Sequence, residues 1–307
     1  MCNRLDRPLK GVVPPMVTPL SDPAHLDAAG AARLVEHILA GGVHGIFLLG
    51  TTGEAPDLPY AVRHELVRRV CAQVAGRVPV LVGVTDTMLD ESLRLAETAA
   101  AAGAAAVVAA PPYYFAPGQP ELVDYYTRLA DDMPLPVFLY NMPSQVKVSI
   151  SVQTVVELAR HANIAGLKDS SGSIGYFNAC RYALRDRPDF AILMGPEEAM
   201  GEVVLMGAAG GVPGGANIFP GLFADLYAAA VAKDVDRVRA LQERVMCISS
   251  LLYGVGHHNS SFVKGVKCAL SLMGICGDVL AGPREPFNAA DRALIRARLV
   301  GLGALAK

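Results

Sequence analysis

Lys168 is the residue whose surroundings most invite chemistry. It lies in Ile164-Ala165-Gly166-Leu167-Lys168-Asp169-Ser170, an otherwise apolar run that reads as a buried strand. Burying an ammonium is expensive, so a lysine there needs a reason. One reason is a salt bridge with Asp169, although adjacent strand residues point to opposite faces. The other is an amine whose pKa desolvation lowers, making it a nucleophile toward carbonyl carbon. Tyr140 closes a second apolar run, Leu135–Asn141. On the residues alone it reads as core packing with a satisfied hydroxyl. A third run, Gly45–Gly50, leads into Thr51-Thr52-Gly53-Glu54. Its paired hydroxyls and glycine-freed N–H groups suit a capped turn or a cradle for a small carboxylate.

Other polar motifs carry less. The aromatic pair in Pro112-Tyr113-Tyr114 reads as lid or interface packing. The glycine-rich run Gly207–Gly215 has no Walker lysine and no GxGxxG, so it suits close ligand approach to backbone rather than nucleotide binding. Seven histidines show no HxxxH pattern, and the two rings of His257-His258 cannot converge, which disfavours a metal-dependent aldolase. Six cysteines without a CxxC pair read as idle or buried thiols.

Elements that could position Lys168 recur with a clear rhythm. Apolar runs bounded by Gly or Pro occupy Gly11–Leu20, Gly45–Gly50, Val78–Val84 and Ala104–Pro111. Four more occupy Leu135–Asn141, Ile164–Ser170, Phe190–Gly195 and Gly210–Gly215. Between them lie segments of helical period: Ala31–Ala40, Ala61–Ala75, Glu91–Ala102, Glu121–Ala130, Val152–His161 and Leu222–Val231. In Ala61–Ala75 the residues Val62, Leu66, Val70 and Val74 recur at four-residue steps. Runs apolar throughout are strands buried on both faces, the mark of a parallel sheet covered by helices. Eight βα units therefore predict an α/β fold, a (β/α)8 TIM barrel, over residues 1–232. A doubly wound sheet is the runner-up, but Met16-Val17-Thr18-Pro19 is not its glycine fingerprint. Asp234–Tyr253, Phe262–Met273 and Ala289–Leu302 predict a C-terminal three-helix extension within 233–307.

Composition sets outer limits. The chain has 307 residues, 52% hydrophobic and 18% charged, which excludes a disordered protein. Its net charge of −2 shows no basic surplus, so no nucleic-acid partner is expected. Thr98–Pro120 is uncharged and long enough to span a bilayer, but Pro111-Pro112 breaks any helix, so no membrane partner is expected either. The first eight residues hold no apolar core of the kind a secretory signal needs, and a cytoplasmic location is the expectation.

At these residues the chain resembles the dihydrodipicolinate synthase / N-acetylneuraminate lyase family of Schiff-base barrel enzymes. The resemblance rests on Gly45–Glu54 (GIFLLGTTGE), Tyr140–Pro143 (YNMP) and Gly166–Ser170 (GLKDS), with 28 residues from tyrosine to lysine. Pro111–Tyr114 and Gly210–Asn217 also fit. It implies a class I lyase in which Lys168 forms an imine with C2 of pyruvate or another 2-oxo acid, with no further cofactor and no metal. It implies that Tyr140 shuttles protons, that Thr51 and Thr52 hold the substrate carboxylate, and that Thr51 links Tyr140 to Tyr114 in a hydroxyl relay. In the family that last tyrosine comes from a neighbouring subunit, which implies a homotetramer, a dimer of dimers. Gly50, Gly195 and Val212 match positions lining the pocket.

One position departs from the pattern. Synthases making the lysine precursor carry an arginine two residues after the YNxP segment, and here that position is Gln145. A neutral amide lacks the charged fork that grips the carboxylate of aspartate semialdehyde. The expectation is therefore an aldolase of a 2-keto-3-deoxy sugar acid, with a 2-oxo acid and an aldehyde as small-molecule partners. Alternatives are the synthase itself, a dehydratase or deaminase of related acids, and last a non-catalytic binding barrel. Positions matching the family's lysine-feedback site are mixed: Tyr113 and Glu91 fit, while Tyr60 stands where a histidine is common.

Overall fold

The computed structural model describes residues 5–306; Cys2 and the first half of the N-terminal segment read above lie outside them. Each apolar run yields a short strand: β1 (Gly11–Val12), β4 (Ile46–Leu48), β5 (Val80–Gly83), β6 (Ala106–Ala109), β7 (Val137–Asn141), β8 (Ile164–Asp169), β9 (Ala191–Met194) and β10 (Gly210–Gly211). A small antiparallel hairpin, β2 (Leu20–Asp22) with β3 (His25–Leu26), follows β1. Helices alternate with the strands: α1 (Ala28–Ala40), α2 (Tyr60–Val74), α3 (Leu89–Ala101), α4 (Gln119–Asp132), α5 (Pro143–Val146), α6 (Val152–Leu158), α7 (Ile174–Ala183), α8 (Met200–Leu205) and α9 (Pro220–Val231). Three more then follow: α10 (Val235–Leu252), α11 (Ser261–Leu272) and α12 (Ala289–Gly301).

The eight strands run parallel in the order β1-β10-β9-β8-β7-β6-β5-β4. The two edges meet where Pro15 bridges Phe47, with Phe47 N donating to Pro14 O and Met16 N to Phe47 O, each at 2.9 Å. This makes the sheet a (β/α)8 barrel. The seam is brief because Pro14 and Pro15 have no N–H to donate, so only Gly11–Val12 of the long first run is regular strand.

Helix faces explain the cover. In α2, Val62, Leu66, Val70 and Val74 are buried together, as their four-step spacing requires. Truncating Leu66, fully buried, to alanine would cost about 2–5 kcal/mol. Side-chain oxygens of Asp27, Ser151 and Ser173 cap α1, α6 and α7 by accepting from backbone N–H groups one turn on. The uncharged Thr98–Pro120 stretch is the end of α3, strand β6, a loop and the first two residues of α4. Among the described residues no helix is long and apolar enough to cross a membrane.

Register places the polar residues. Tyr140 on β7 pairs directly with Lys168 on β8, and Asn141 pairs with Asp169. Paired residues share a face, so the phenol and the amine lie on one side and the amide and carboxylate on the other.

Candidate active site

Lys168 is 6% exposed, and its Nζ lies 3.7 Å from the centroid of the Tyr140 ring and 5.2 Å from that of Phe47. Phe47 in turn meets Tyr140 edge to face at 6.4 Å. The ammonium is thus held against two aromatic faces, and it enters no ion pair among the described residues. Tyr140 Oη is 3.2 Å from Thr51 Oγ1. Burial pushes the Tyr140 phenol up, but the Lys168 ammonium beside it and the Thr51 and Ser170 hydroxyls outweigh that and leave it below its ordinary value. A lowered phenol pKa suits a group that gives and takes a proton.

Asp169 is not the partner of Lys168. It accepts from Asn141 Nδ2 at 2.9 Å, Ser171 N at 3.0 Å and Ser171 Oγ at 3.1 Å. Burial raises its pKa, and these donors only partly offset the shift. Asn141 Oδ1 also accepts from Ile150 N at 3.0 Å, so the pair ties β7, β8 and the chain before α6 together behind the amine.

A cleft of about 780 Å³ opens over this end of the barrel and is lined by Tyr140, Thr51, Gly50 and Gln145. Lys168 does not line it; the Tyr140 ring, which the amine touches, does. Gly50 must be glycine, because a Cβ there would sit 2.5 Å from Phe47 Cε1. Thr52 is buried and does not line the cleft. At Gly195 a Cβ would meet Ser170 Oγ at 2.0 Å, and the Gly195 N–H donates to Asp169 O at 2.7 Å. Val212, buried, donates its N–H to Met194 O at 2.7 Å. Tyr114 is set apart. It is 78% exposed, stacks edge to face on Phe115 at 5.0 Å, and reaches neither Thr51 nor Tyr140 within this chain. Away from the amine, Tyr60 donates to Asp86, which also pairs with the buried Arg63, while Glu91 pairs with Arg94. Among the described residues no cluster of three His, Cys, Asp or Glu side chains is arranged to hold a metal ion.

Two features escaped sequence reasoning. Ser170 bears on the phenol, though its position at a strand end was the only signal. Glu54, in left-handed conformation with φ 58°, forms an ion pair with the fully buried Lys267 of α11 and accepts from Ala281 N at 3.0 Å. No local signal marks that pair, since its lysine lies in the helical run Phe262–Met273, where polar residues are ordinary.

Fold and cleft together define a (β/α)8-barrel enzyme. The sequence profile of the dihydrodipicolinate synthetase family matches residues 8–297, and the chain belongs to that family, whose members are class I, pyruvate-dependent lyases. Among curated relatives, 4-hydroxy-tetrahydrodipicolinate synthase of Gluconacetobacter diazotrophicus is 32% identical over 296 residues, covering 96% of this chain and 98% of that protein. A DapA-like lyase of Halobacterium salinarum is 34% identical, covering 97% and 95%. Among solved structures, dihydrodipicolinate synthase of Bacteroides thetaiotaomicron is 51% identical with a TM-score of 0.94, covering 97% of this chain and 100% of that one. The prophage protein YagE of E. coli K12, solved in complex with pyruvate, is 28% identical with a TM-score of 0.91, covering 97% and 100%.

Proposed function

We propose that Lys168 forms an imine with C2 of a 2-oxo acid and that the protein is an aldolase of 2-keto-3-deoxy sugar acids. One observation carries the reading: an amine against the face of a phenol whose hydroxyl touches Thr51. Nζ attacks C2, water leaves, and the protonated imine becomes an electron sink. Tyr140 takes the proton from the C4 hydroxyl, the C3–C4 bond breaks, and its electrons flow into the imine to give an enamine and an aldehyde. Protonation at C3 and hydrolysis then release pyruvate and free Lys168. Thr51 and Thr52 serve the substrate carboxylate, with Gly50, Gly195 and Val212 bounding the pocket through backbone. No dissociable cofactor enters these steps.

The exposed Tyr114–Phe115 pair supports a neighbouring subunit at the mouth, with Tyr114 completing the Thr51–Tyr140 relay of the partner copy in a homotetramer. Residues 1–232 then form the catalytic barrel and 233–307 a helical region built onto it, in a chain that works in the cytoplasm on small molecules. The names of the relatives favour a second reading, the condensation of pyruvate with aspartate semialdehyde. Gln145, exposed at the cleft wall, speaks against efficiency in that reaction, since it supplies no charged fork for a second carboxylate.

Borohydride reduction with pyruvate, read by mass spectrometry, tests the imine. The expected product is one adduct on the Lys168 peptide, and an unmodified peptide refutes the reading. Pyruvate release from a panel of 2-keto-3-deoxy acids, run beside the aspartate semialdehyde assay, chooses between the two reactions. Robust turnover of the semialdehyde would overturn the preference.

A further inference from the structure

We infer that the C-terminal helices complete the cleft and select an uncharged, hydroxylated chain as the second substrate, with Asn259 and Ser260 reading its hydroxyls. This rests on the imine reading above and adds which part of the molecule chooses the aldehyde half. The cleft does not end at the barrel rim: Asn259, Ser260, Val263 and Arg284 form part of its lining. Val263 and Lys267 lie four residues apart on one face of α11. Lys267 is fully buried and ion-paired with Glu54, which directly follows Thr51-Thr52-Gly53. The far wall and the carboxylate-holding loop are therefore joined by a buried charge pair.

Charge decides what that wall can bind. Arg284 is already shared between Glu54 and Asp57. Lys147, which also lines the cleft, is exposed and donates its Nζ to Ser144 O at 3.0 Å. A carboxylate or phosphate beside Arg284 would meet two carboxylates around one guanidinium, and beside Lys147 only a solvated ammonium. The neutral groups are in the opposite state. Ser144, Gln145, Asn259 and Ser260 line the cleft, and among the described residues none of their side chains makes a hydrogen bond. Amides and hydroxyls both donate and accept, which is what a row of substrate hydroxyls needs. Hydrogen bonds from such groups would orient a hydroxylated chain within the cleft.

The test compares three substrates in wild type, Asn259→Ala, Ser260→Ala and the double variant. They are 2-keto-3-deoxygluconate, its 6-phosphate, and 4-hydroxy-2-oxopentanoate, whose aldehyde half bears no further hydroxyl. Pyruvate release gives kcat/KM, and borohydride trapping with pyruvate runs alongside. Wild type should favour the unphosphorylated sugar acid. The double variant should lose about 10- to 100-fold on that acid, chiefly through KM, with 4-hydroxy-2-oxopentanoate and trapping unchanged. Equal losses on both acids, no loss, or a preference for the phosphate overturns the inference. So does an adduct with no cleavage of any of the three. Absence of an adduct in wild type overturns instead the imine reading on which the inference stands.

Discussion

Two lysines are buried among the described residues, and they are opposites. Lys267, on α11, has an exposure of 0% and meets the Glu54 carboxylate and, at 2.7 Å, Val279 O. Burial lowers its pKa, and Glu54 opposes that shift. Lys168, on β8, is 6% exposed and meets the faces of Tyr140 and Phe47. A cation–π contact is worth roughly 0.5–2 kcal/mol. Breaking a buried ion pair by removing one partner costs about 3–5 kcal/mol. Burial alone therefore does not make a nucleophile. Were Nζ of Lys267 to bond to carbon, it would leave a carboxylate stranded, whereas Lys168 has none to abandon and a proton carrier at hand.

The comparison breaks first if the wrong lysine reacts. Lys168→Ala should abolish both turnover and the pyruvate adduct, while Lys267→Met should keep the adduct on the Lys168 peptide. Peptide mapping after reduction decides this, and label on Lys267 would invert the assignment. Next comes the phenol. Tyr140→Phe should still be trapped by borohydride but turn over about 10²–10⁴-fold more slowly, the scale for losing a positioned acid–base group. Unchanged turnover would remove Tyr140 from the chemistry and leave it as packing.

The same contrast explains what the sequence made legible. Lys168 stands out because a strand apolar on both faces has no polar side on which to hide a charge. The run Ile164–Ser170 became strand Ile164–Asp169 almost residue for residue. Lys267 lies in a helix, where polar residues are ordinary and its place on the apolar stripe shows only with the fold in hand. Helices α7 and α8 were not singled out either: α7 buries only Phe177 and Cys180, and α8 has six residues, too few to show a period. Asn259 and Ser260 reach the cleft from more than a hundred residues beyond Tyr140, a distance no local pattern spans.

Stability sharpens the comparison further. Lys267→Met strands the Glu54 carboxylate and should cost about 3–5 kcal/mol in urea unfolding. Adding Glu54→Gln should recover part of that loss, because removing both charges also removes both desolvation penalties. A double variant no more stable than the single one would show that Glu54 is held by its other contacts, Ala281 N and Arg284.

Glu197 supplies a third case: a buried acid with hydrogen-bond donors in place of a cation. It is 4% exposed and accepts from Tyr253 Oη and Gly215 N, each at 2.6 Å. Burial pushes its pKa up to about 7, and these two donors only partly oppose the shift. The folded protein therefore holds a proton on Glu197 that the unfolded chain releases above its ordinary value of 4.5. A group with a raised folded pKa contributes stability that is fully present below the unfolded value and is lost as pH rises through the folded one. From pH 4.5 to about 7 this site should thus lower stability progressively, by about 3 kcal/mol at most. Glu197→Gln, which keeps the shape and cannot ionise, should flatten that slope in urea titrations across the window. An unchanged slope would mean that the two donors hold Glu197 as a carboxylate, so that hydrogen bonds alone can do for it what Glu54 does for Lys267.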